Sequence, residues 1–190
     1  MQNFLVFFLS FYFLLISIIG YGKIFENLCF RKYKKKDDNL IYTGFYGLMF
    51  VTLISLITSY FIPHNFYHNL ILHSSGFFYL FFNFNRKDRN YLKYIFYISL
   101  FTVSALMISK TNDDFSYYHF PFTKYLTEHK IIFGMGNLNH GFNLLSSLFF
   151  LNSTFYLPFI NFFSFHFSLL YFLIFFNYFV LKEIFTKTND

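Results

Sequence analysis

The chain has 190 residues, of which 56% are hydrophobic, 28% aromatic and only 13% charged. Because soluble domains carry about 25% charged residues, this composition argues against a soluble globular domain. The net charge of +6 comes from lysines and arginines that cluster in short connectors between apolar runs, which argues against a nucleic-acid-binding face and indicates topology signals for membrane insertion. The composition therefore predicts an all-α, polytopic transmembrane helical protein.

Five apolar runs approach the roughly 20 residues that a helix needs to cross a bilayer. They are Phe4–Tyr21, Leu40–Ile62, Phe66–Phe84, Tyr91–Ser109 and Pro158–Leu181. The first run has neither a positively charged start nor a small-residue exit, so we expect a retained span and no cleaved signal peptide. The third run contains His68, Asn69 and His73, and we expect these polar residues to face neighbouring helices or a cavity. Cys29 is the single cysteine, which favours a structural thiol and precludes an intrachain disulfide.

The charges of the connectors set the predicted orientation. Basic residues lie between the first and second runs (Lys23, Arg31, Lys32, Lys34, Lys35, Lys36) and between the third and fourth (Arg86, Lys87, Arg89, Lys93). The turn Pro63-His64-Asn65 between the second and third runs has no lysine or arginine. The positive-inside rule then predicts a multi-pass protein of the bacterial inner membrane, with the amino terminus outside and the carboxyl terminus cytoplasmic.

This topology divides the chain into three predicted regions. Residues 1–109 form a four-span membrane region, residues 110–157 an external loop, and residues 158–190 the fifth span and a cytoplasmic tail. In the external loop Phe122, Tyr125, Leu126 and His129 recur at helical spacing, with Thr123, Lys124, Thr127 and Glu128 on the opposite face. This pattern predicts a short amphipathic helix that begins near Pro121, lies on the outer membrane surface and ends at Gly134-Met135-Gly136. Phe142–Leu151 is too short to span and predicts a second interfacial or re-entrant helix.

The external loop also contains the residues best suited to chemistry. Asp113 and Asp114 could serve as a general base or hold a divalent cation, and the competing interpretation is that they cap a turn. His119 could orient a phosphate, bind a metal or carry a proton, although a loop histidine is more often solvated. Lys124 and Lys130 suit an anionic substrate or, equally, lipid headgroups. No metal-ligand spacing is present, so no metal site is predicted and the cofactor stays open.

Two further patterns are weaker indications of function. Histidines 64, 68, 73 and 166 lie in or beside apolar runs and raise a haem or proton-pathway interpretation, which is disfavoured because no pair stands at matching depths in two spans. Asn152-Ser153-Thr154 matches a glycosylation acceptor, but its closeness to the membrane counts against that use.

The order of motifs in the loop resembles a known group of proteins. Asp114-x-x-x-Tyr118-His119, then Glu128, then Gly134-Met135-Gly136-Asn137-Leu138 and Phe142-Asn143 resemble the first large external loop of a family of bacterial polytopic membrane proteins that look like GT-C-type glycosyltransferases. The resemblance extends over Leu40–Pro63.

The resemblance implies a function and a set of site residues. The protein would be the amino-terminal portion of an enzyme that transfers sugar from a polyprenyl-phosphate donor in envelope glycan synthesis. Asp114 would be the base, with Asp113 and His119 beside it. The substrate pocket would include Tyr118, Lys124, Glu128, Asn137 and His140, and membrane lipids and other envelope-biogenesis proteins would be partners.

A second class of function stays open from the residues alone. The chain could be a non-enzymatic membrane scaffold, partner subunit or translocation component. In that case the polar residues His68, Asn69 and His73 would matter more than the loop acids.

Overall fold

A computed structural model describes residues 4–30, 40–108, 114–137, 140–143, 146–160 and 162–187. These residues form α-helices joined by short 3₁₀ and π segments, and they contain no β-strand. The helices are α1 (Phe4–Cys29), α2 (Thr43–Ser59), α3 (Phe66–Phe82), α4 (Arg86–Ile108), α5 (Phe120–Glu128), α6 (Ser147–Thr154) and α7 (Phe167–Lys187). The prediction of an all-α fold is confirmed.

Among the described residues, three segments are long and apolar enough to cross a membrane: Phe4–Cys29, Leu40–Ser59 and Phe162–Phe185. They correspond to the first, second and fifth predicted runs. The fifth differs from its prediction at the start, because the chain turns at Leu157–Ile160 and passes through a 3₁₀ segment, Phe162–His166, before α7 begins.

Helix α4 begins earlier than the sequence predicted. Asn85 and Asp88 form a reciprocal cap: the Asp88 N–H donates to Asn85 Oδ1 at 3.1 Å, and the Asn85 N–H donates to Asp88 Oδ2 at 2.8 Å. This capping box starts the helix at Arg86 rather than at Tyr91. The basic residues assigned to a connector therefore lie on the first two turns of α4.

The long helices run in alternating directions, and contacts at both ends fix this arrangement. At one end Lys23 of α1 pairs with Asp88 of α4 at 2.5 Å, and the Thr43 hydroxyl of α2 donates to Glu26 of α1 at 2.6 Å. We call this end, with Lys23, Arg86, Lys87, Arg89 and Lys182, the basic end. At the opposite end Phe7 of α1 packs against Phe167 of α7, with ring centroids 5.6 Å apart. The basic residues 31–36 lie outside the described part of the chain.

Helix α1 lies at the centre of the bundle, between α2 and α3. Its residues Phe11, Leu14 and Ile18 are fully buried, and the Tyr171 hydroxyl of α7 donates to the Phe11 carbonyl at 2.9 Å. The two backbones of α1 and α3 touch at Gly20 and Gly76, since a Cβ at Gly20 would overlap the Gly76 carbonyl oxygen. Such close approach at small residues is the usual way in which helices pack when hydrocarbon surrounds them.

The end opposite the basic end has a small second core. Phe122, Leu126, Met135, Phe149 and Phe150 are buried together there, with α5 packed on α6. We call the described residues 114–157 that build this region the cap. Two backbone hydrogen bonds join the cap to the bundle: the His64 N–H donates to the Leu126 carbonyl at 2.8 Å, and the Ile131 N–H donates to the Ser59 carbonyl at 2.9 Å.

The cap corrects three details of the predicted loop. Helix α5 ends at Glu128, because His129 is extended, so the glycines at 134 and 136 follow the helix and do not end it. Thr123 and Thr127 are buried, not outward-facing, because the cap covers α5 on two sides. The second short helix begins at Ser147, where the Ser146 hydroxyl accepts the Leu148 N–H at 3.3 Å as an N-cap.

Candidate functional site

Asp114 lies at the start of the cap, with its side chain exposed. It directly precedes a π-helical turn, Phe115–His119, and its side chain makes no capping hydrogen bond there. Phe115 stacks on His166 with ring centroids 4.6 Å apart, which ties the turn to the start of the last span. The ring contact of Phe115 therefore fixes the backbone next to this exposed carboxylate. Asp113 lies outside the described residues.

Tyr118 and His119 pack into the cap. Their rings are 4.4 Å apart, and the His119 ring lies 5.0 Å from that of Phe149. Gly141 packs closely against Tyr118, because a Cβ built at Gly141 would lie 2.5 Å from the Tyr118 Cβ. Both side chains are half-buried, so they support the turn that carries Asp114 as well as bordering it.

Lys124 and Glu128 lie on the outer face of α5 and pair with each other at 3.8 Å. The Lys124 ammonium also lies 5.7 Å from the centre of the Phe162 ring. Both side chains are exposed to a large degree, so this ion pair contributes little to stability and leaves both groups accessible.

Asn137 borders a groove of about 250 Å³ in the cap. Gly134, Met135, Gly136 and Asn143 line the same groove, so the structure brings together the two separated pieces of the motif that carried the family resemblance. Gly134 has a φ of +87°, which a residue with a side chain rarely adopts. Asp114, Lys124 and Glu128 do not line this groove, and exposed His140 precedes its Asn143 wall without lining it.

A buried polar network lies beneath the cap, and the sequence-based set of site residues did not include it. The Asn69 amide of α3 donates to the carbonyls of His64, Ser153 and Tyr156 at 2.8, 2.9 and 3.0 Å. His73 joins Ser17 Oγ at 3.1 Å through Nδ1 and the Thr154 carbonyl at 3.0 Å through Nε2. The sequence signal for this network was the set of histidines and asparagine in the third apolar run. Their partners Ser17, Ser153 and Thr154 lie more than 50 residues away along the chain, so the sequence did not identify them.

His64 is the point where the network meets the turn between α2 and α3. Its Nδ1 lies 2.6 Å from Ser153 Oγ and its Nε2 lies 3.0 Å from Thr58 Oγ1. Burial, with a smaller effect from His68, lowers the pKa of His64 to about 3. His64 is therefore neutral at physiological pH, and both of its nitrogens are used within the protein. The His64 side chain is fully buried.

Every histidine nitrogen of His64 and His73 has a hydrogen-bond partner, so this network joins α6 to the bundle in the manner of a structural core. The supposed glycosylation acceptor, Asn152, is part of α6, and its Oδ1 is buried. Cys29 is exposed at the end of α1, contrary to a structural role for the thiol. Within the described ranges, no three His, Cys, Asp or Glu side chains cluster closely enough to hold a metal ion.

No curated protein and no solved structure matches the chain. Residues 4–190 match the model of a family described as Domain of unknown function (DUF8201). Because this match covers nearly the whole chain, the protein belongs to that family.

Proposed function

We propose that the protein is a GT-C-type, glycosyltransferase-like component of the bacterial inner membrane that acts on a polyprenyl-phosphate-linked sugar in envelope glycan synthesis. One observation carries the proposal: the cap holds an exposed carboxylate, Asp114, at the end of the bundle opposite the basic end. The resemblance of the loop motif to GT-C-type proteins supplies the reaction class, and the cap supplies a place for it.

The proposed topology has five spans, α1 to α4 and α7. The exposed surface of α3 and α4 supports counting these two helices as spans besides the three most apolar ones. Large apolar side chains point away from the bundle there (Tyr67, Ile71, Phe78, Phe81, Phe82, Phe96, Tyr97, Phe101). In water a continuous apolar surface of this extent would drive association, whereas hydrocarbon accommodates it.

The orientation follows from the charges. With the basic end in the cytoplasm, as the positive-inside rule requires, the cap and Asp114 face the outside, and the carboxyl terminus is cytoplasmic. Membrane lipids then surround the bundle, and envelope-biogenesis proteins meet the cap.

The proposed reaction is a direct displacement at the anomeric carbon of the donor sugar. The Asp114 carboxylate takes the proton of an acceptor hydroxyl, and the freed oxygen forms the new bond to carbon. The bond to the donor phosphate breaks, and the polyprenyl phosphate leaves with its electron pair. The amides of Asn137 and Asn143 line a cap groove that Asp114 does not border, so they would bind sugar hydroxyls away from the bond that is transferred.

The test is the Asp114→Asn substitution in the full-length protein, assayed for transfer of labelled sugar from a polyprenyl-phosphate donor. Loss of a general base typically slows a reaction by about 10²–10⁴-fold, and we expect a loss of that order. Glu183→Gln is the matched control, because it removes a carboxylate from α7 near the basic end. Turnover by Asp114→Asn equal to that of the control would exclude the base role.

A second candidate, a non-enzymatic scaffold or partner subunit, is favoured by the buried network. His64, Asn69 and His73 bind the cap firmly to the bundle, as a docking platform for another protein requires. The sugar-transfer assay of Asp114→Asn distinguishes the two candidate functions. A platform keeps its partner when Asp114 is neutralised and has no transfer activity to lose.

A further inference from the structure

Helices α4 and α7 enclose a long groove on the outside of the bundle. They touch where the rings of Tyr91 and Tyr178 meet at 4.9 Å, and along this contact lies a groove of about 500 Å³. Helix α4 lines it with Tyr94, Tyr97 and Phe101, and α7 lines it with Tyr178, Lys182 and Phe185. The volume falls within the roughly 300–1,000 Å³ typical of small-molecule sites.

The groove extends along about two turns of each helix, from Tyr94 to Phe101 on α4 and from Tyr178 to Phe185 on α7. Phe101 follows Tyr91 by ten residues, which is about 15 Å along a helix axis and equals half of the roughly 30 Å hydrocarbon core. Lys182 follows Tyr178 by four residues in the antiparallel helix, about 6 Å in the opposite direction. Phe101 and Lys182 therefore lie on opposite sides of the Tyr91–Tyr178 contact, with Lys182 on the side of the basic end.

Cations outnumber the acids, Asp88 and Glu183 among them, at this end of the described bundle. Lys182 is exposed at the basic end, where Arg89 and Lys93 are also exposed on the first turns of α4. A second copy of the chain, seated in the groove through a two-fold axis, would bring these cations against their own counterparts. A lipid with an anionic headgroup has the opposite charge and an apolar chain, so it complements both parts of the groove.

We propose that the groove between α4 and α7 binds one acyl chain of an anionic phospholipid, whose phosphate lies on the Lys182 ammonium. The inference rests on α4 and α7 lying in the bilayer, as in the proposed function, but not on any transfer activity. The occupant is a structural lipid of the cytoplasmic leaflet and not the substrate of the cap, which lies at the other end of the molecule.

The absence of tryptophan from the chain allows a direct test. Phe101→Trp places a single tryptophan in the groove at a position that is 83% exposed, so the exchange is tolerated by the fold. Ile71→Trp places it on α3, at a position that is 72% exposed and outside the groove. Each protein is reconstituted in phosphatidylcholine vesicles, and quenching by brominated phosphatidylglycerol is compared with quenching by brominated phosphatidylcholine.

We expect the Phe101→Trp protein to prefer the anionic lipid by about fivefold, the order expected for one lysine facing an anionic headgroup. The Ile71→Trp protein should show no preference, and Phe101→Trp combined with Lys182→Gln should lose it. Equal quenching by the two lipids in Phe101→Trp would overturn the lipid site. So would protection of that tryptophan from both lipids, because a protein would then fill the groove.

The same measurements distinguish this inference from the proposed function. If neither Phe101→Trp nor Ile71→Trp is quenched, α3 and α4 do not lie in the bilayer, and the five-span topology fails together with the lipid site. If Ile71→Trp is quenched and Phe101→Trp shows no preference, the lipid site alone fails.

Discussion

The network beneath the cap predicts a large cost for replacing one buried amide. Asn69 is fully buried, and its side-chain N–H groups serve the carbonyls of His64, Ser153 and Tyr156. An amide has two donor hydrogens, so the three contacts amount to two full hydrogen bonds. At about 1–2 kcal/mol for each bond lost with its partner left buried, Asn69→Ala should lower the free energy of unfolding by roughly 2–4 kcal/mol.

The assay is unfolding by sodium dodecyl sulfate in mixed micelles, followed by far-ultraviolet circular dichroism. Limited proteolysis of the cap gives a second readout, since α6 is held to α3 through these bonds. Asn83→Ala is the matched control: it is the same exchange on the exposed C-cap of the same helix, where the amide donates to the Tyr79 carbonyl at 2.9 Å. We expect the control to change stability by no more than about 0.5 kcal/mol.

The result that would refute the reasoning is an Asn69→Ala protein whose unfolding free energy lies within about 0.5 kcal/mol of the Asn83→Ala protein. The network would then be replaceable by water or by rearrangement, and its role in holding the cap would be lost.

Two further predictions concern the same bundle. The pKa of His64 is about 3 when folded and 6.5 in its ordinary state, so only the unfolded chain takes up this proton between those values, and stability falls as pH decreases from 6.5 towards 3. The free energy of unfolding is measured at pH 7 and at pH 5, and between them the native protein should lose about 1–2 kcal/mol more than His64→Gln. Exposed His129→Gln is the control and should behave like the native protein. Equal losses in all three proteins would contradict the prediction. Gly20→Ala should cost at least about 1–3 kcal/mol, because the new methyl group overlaps the Gly76 backbone and must separate α1 from α3. Leu9→Ala, on the exposed side of α1, is its control in the same micelle titration, and equal stability of the two variants would argue against the close helix contact.

The apolar runs themselves determined the helical class and the approximate extents of the long helices. Their length and hydropathy leave a chain no other way to satisfy its backbone in hydrocarbon, so α1, α2 and the last span follow from composition. The short amphipathic helix was also predictable, since Phe122 and Leu126 recur at helical spacing and both are buried. The start of α4 was not, because the basic residues 86–93 resemble a connector until the Asn85–Asp88 cap is seen.

The candidate site also contains residues that the sequence predicted and residues that it did not. The loop motif led to Asp114, Tyr118, His119 and Asn137, and these residues do belong to one compact cap. What no local pattern could supply is which residues come together from distant positions. Asn69 bonds to Ser153, 84 residues away, and His73 to Thr154, 81 residues away.

Composition therefore decided by itself that the chain is helical, with segments apolar enough to cross a membrane on both sides of a more polar one, because transfer of apolar surface and the cost of unpaired backbone act on each segment separately. Only the tertiary structure decided that α6 of the cap is bonded to a buried histidine and asparagine network, and that α4 and α7 leave a groove between them. The physical reason is that a buried polar group must find its partner in three dimensions, and sequence spacing does not carry that distance.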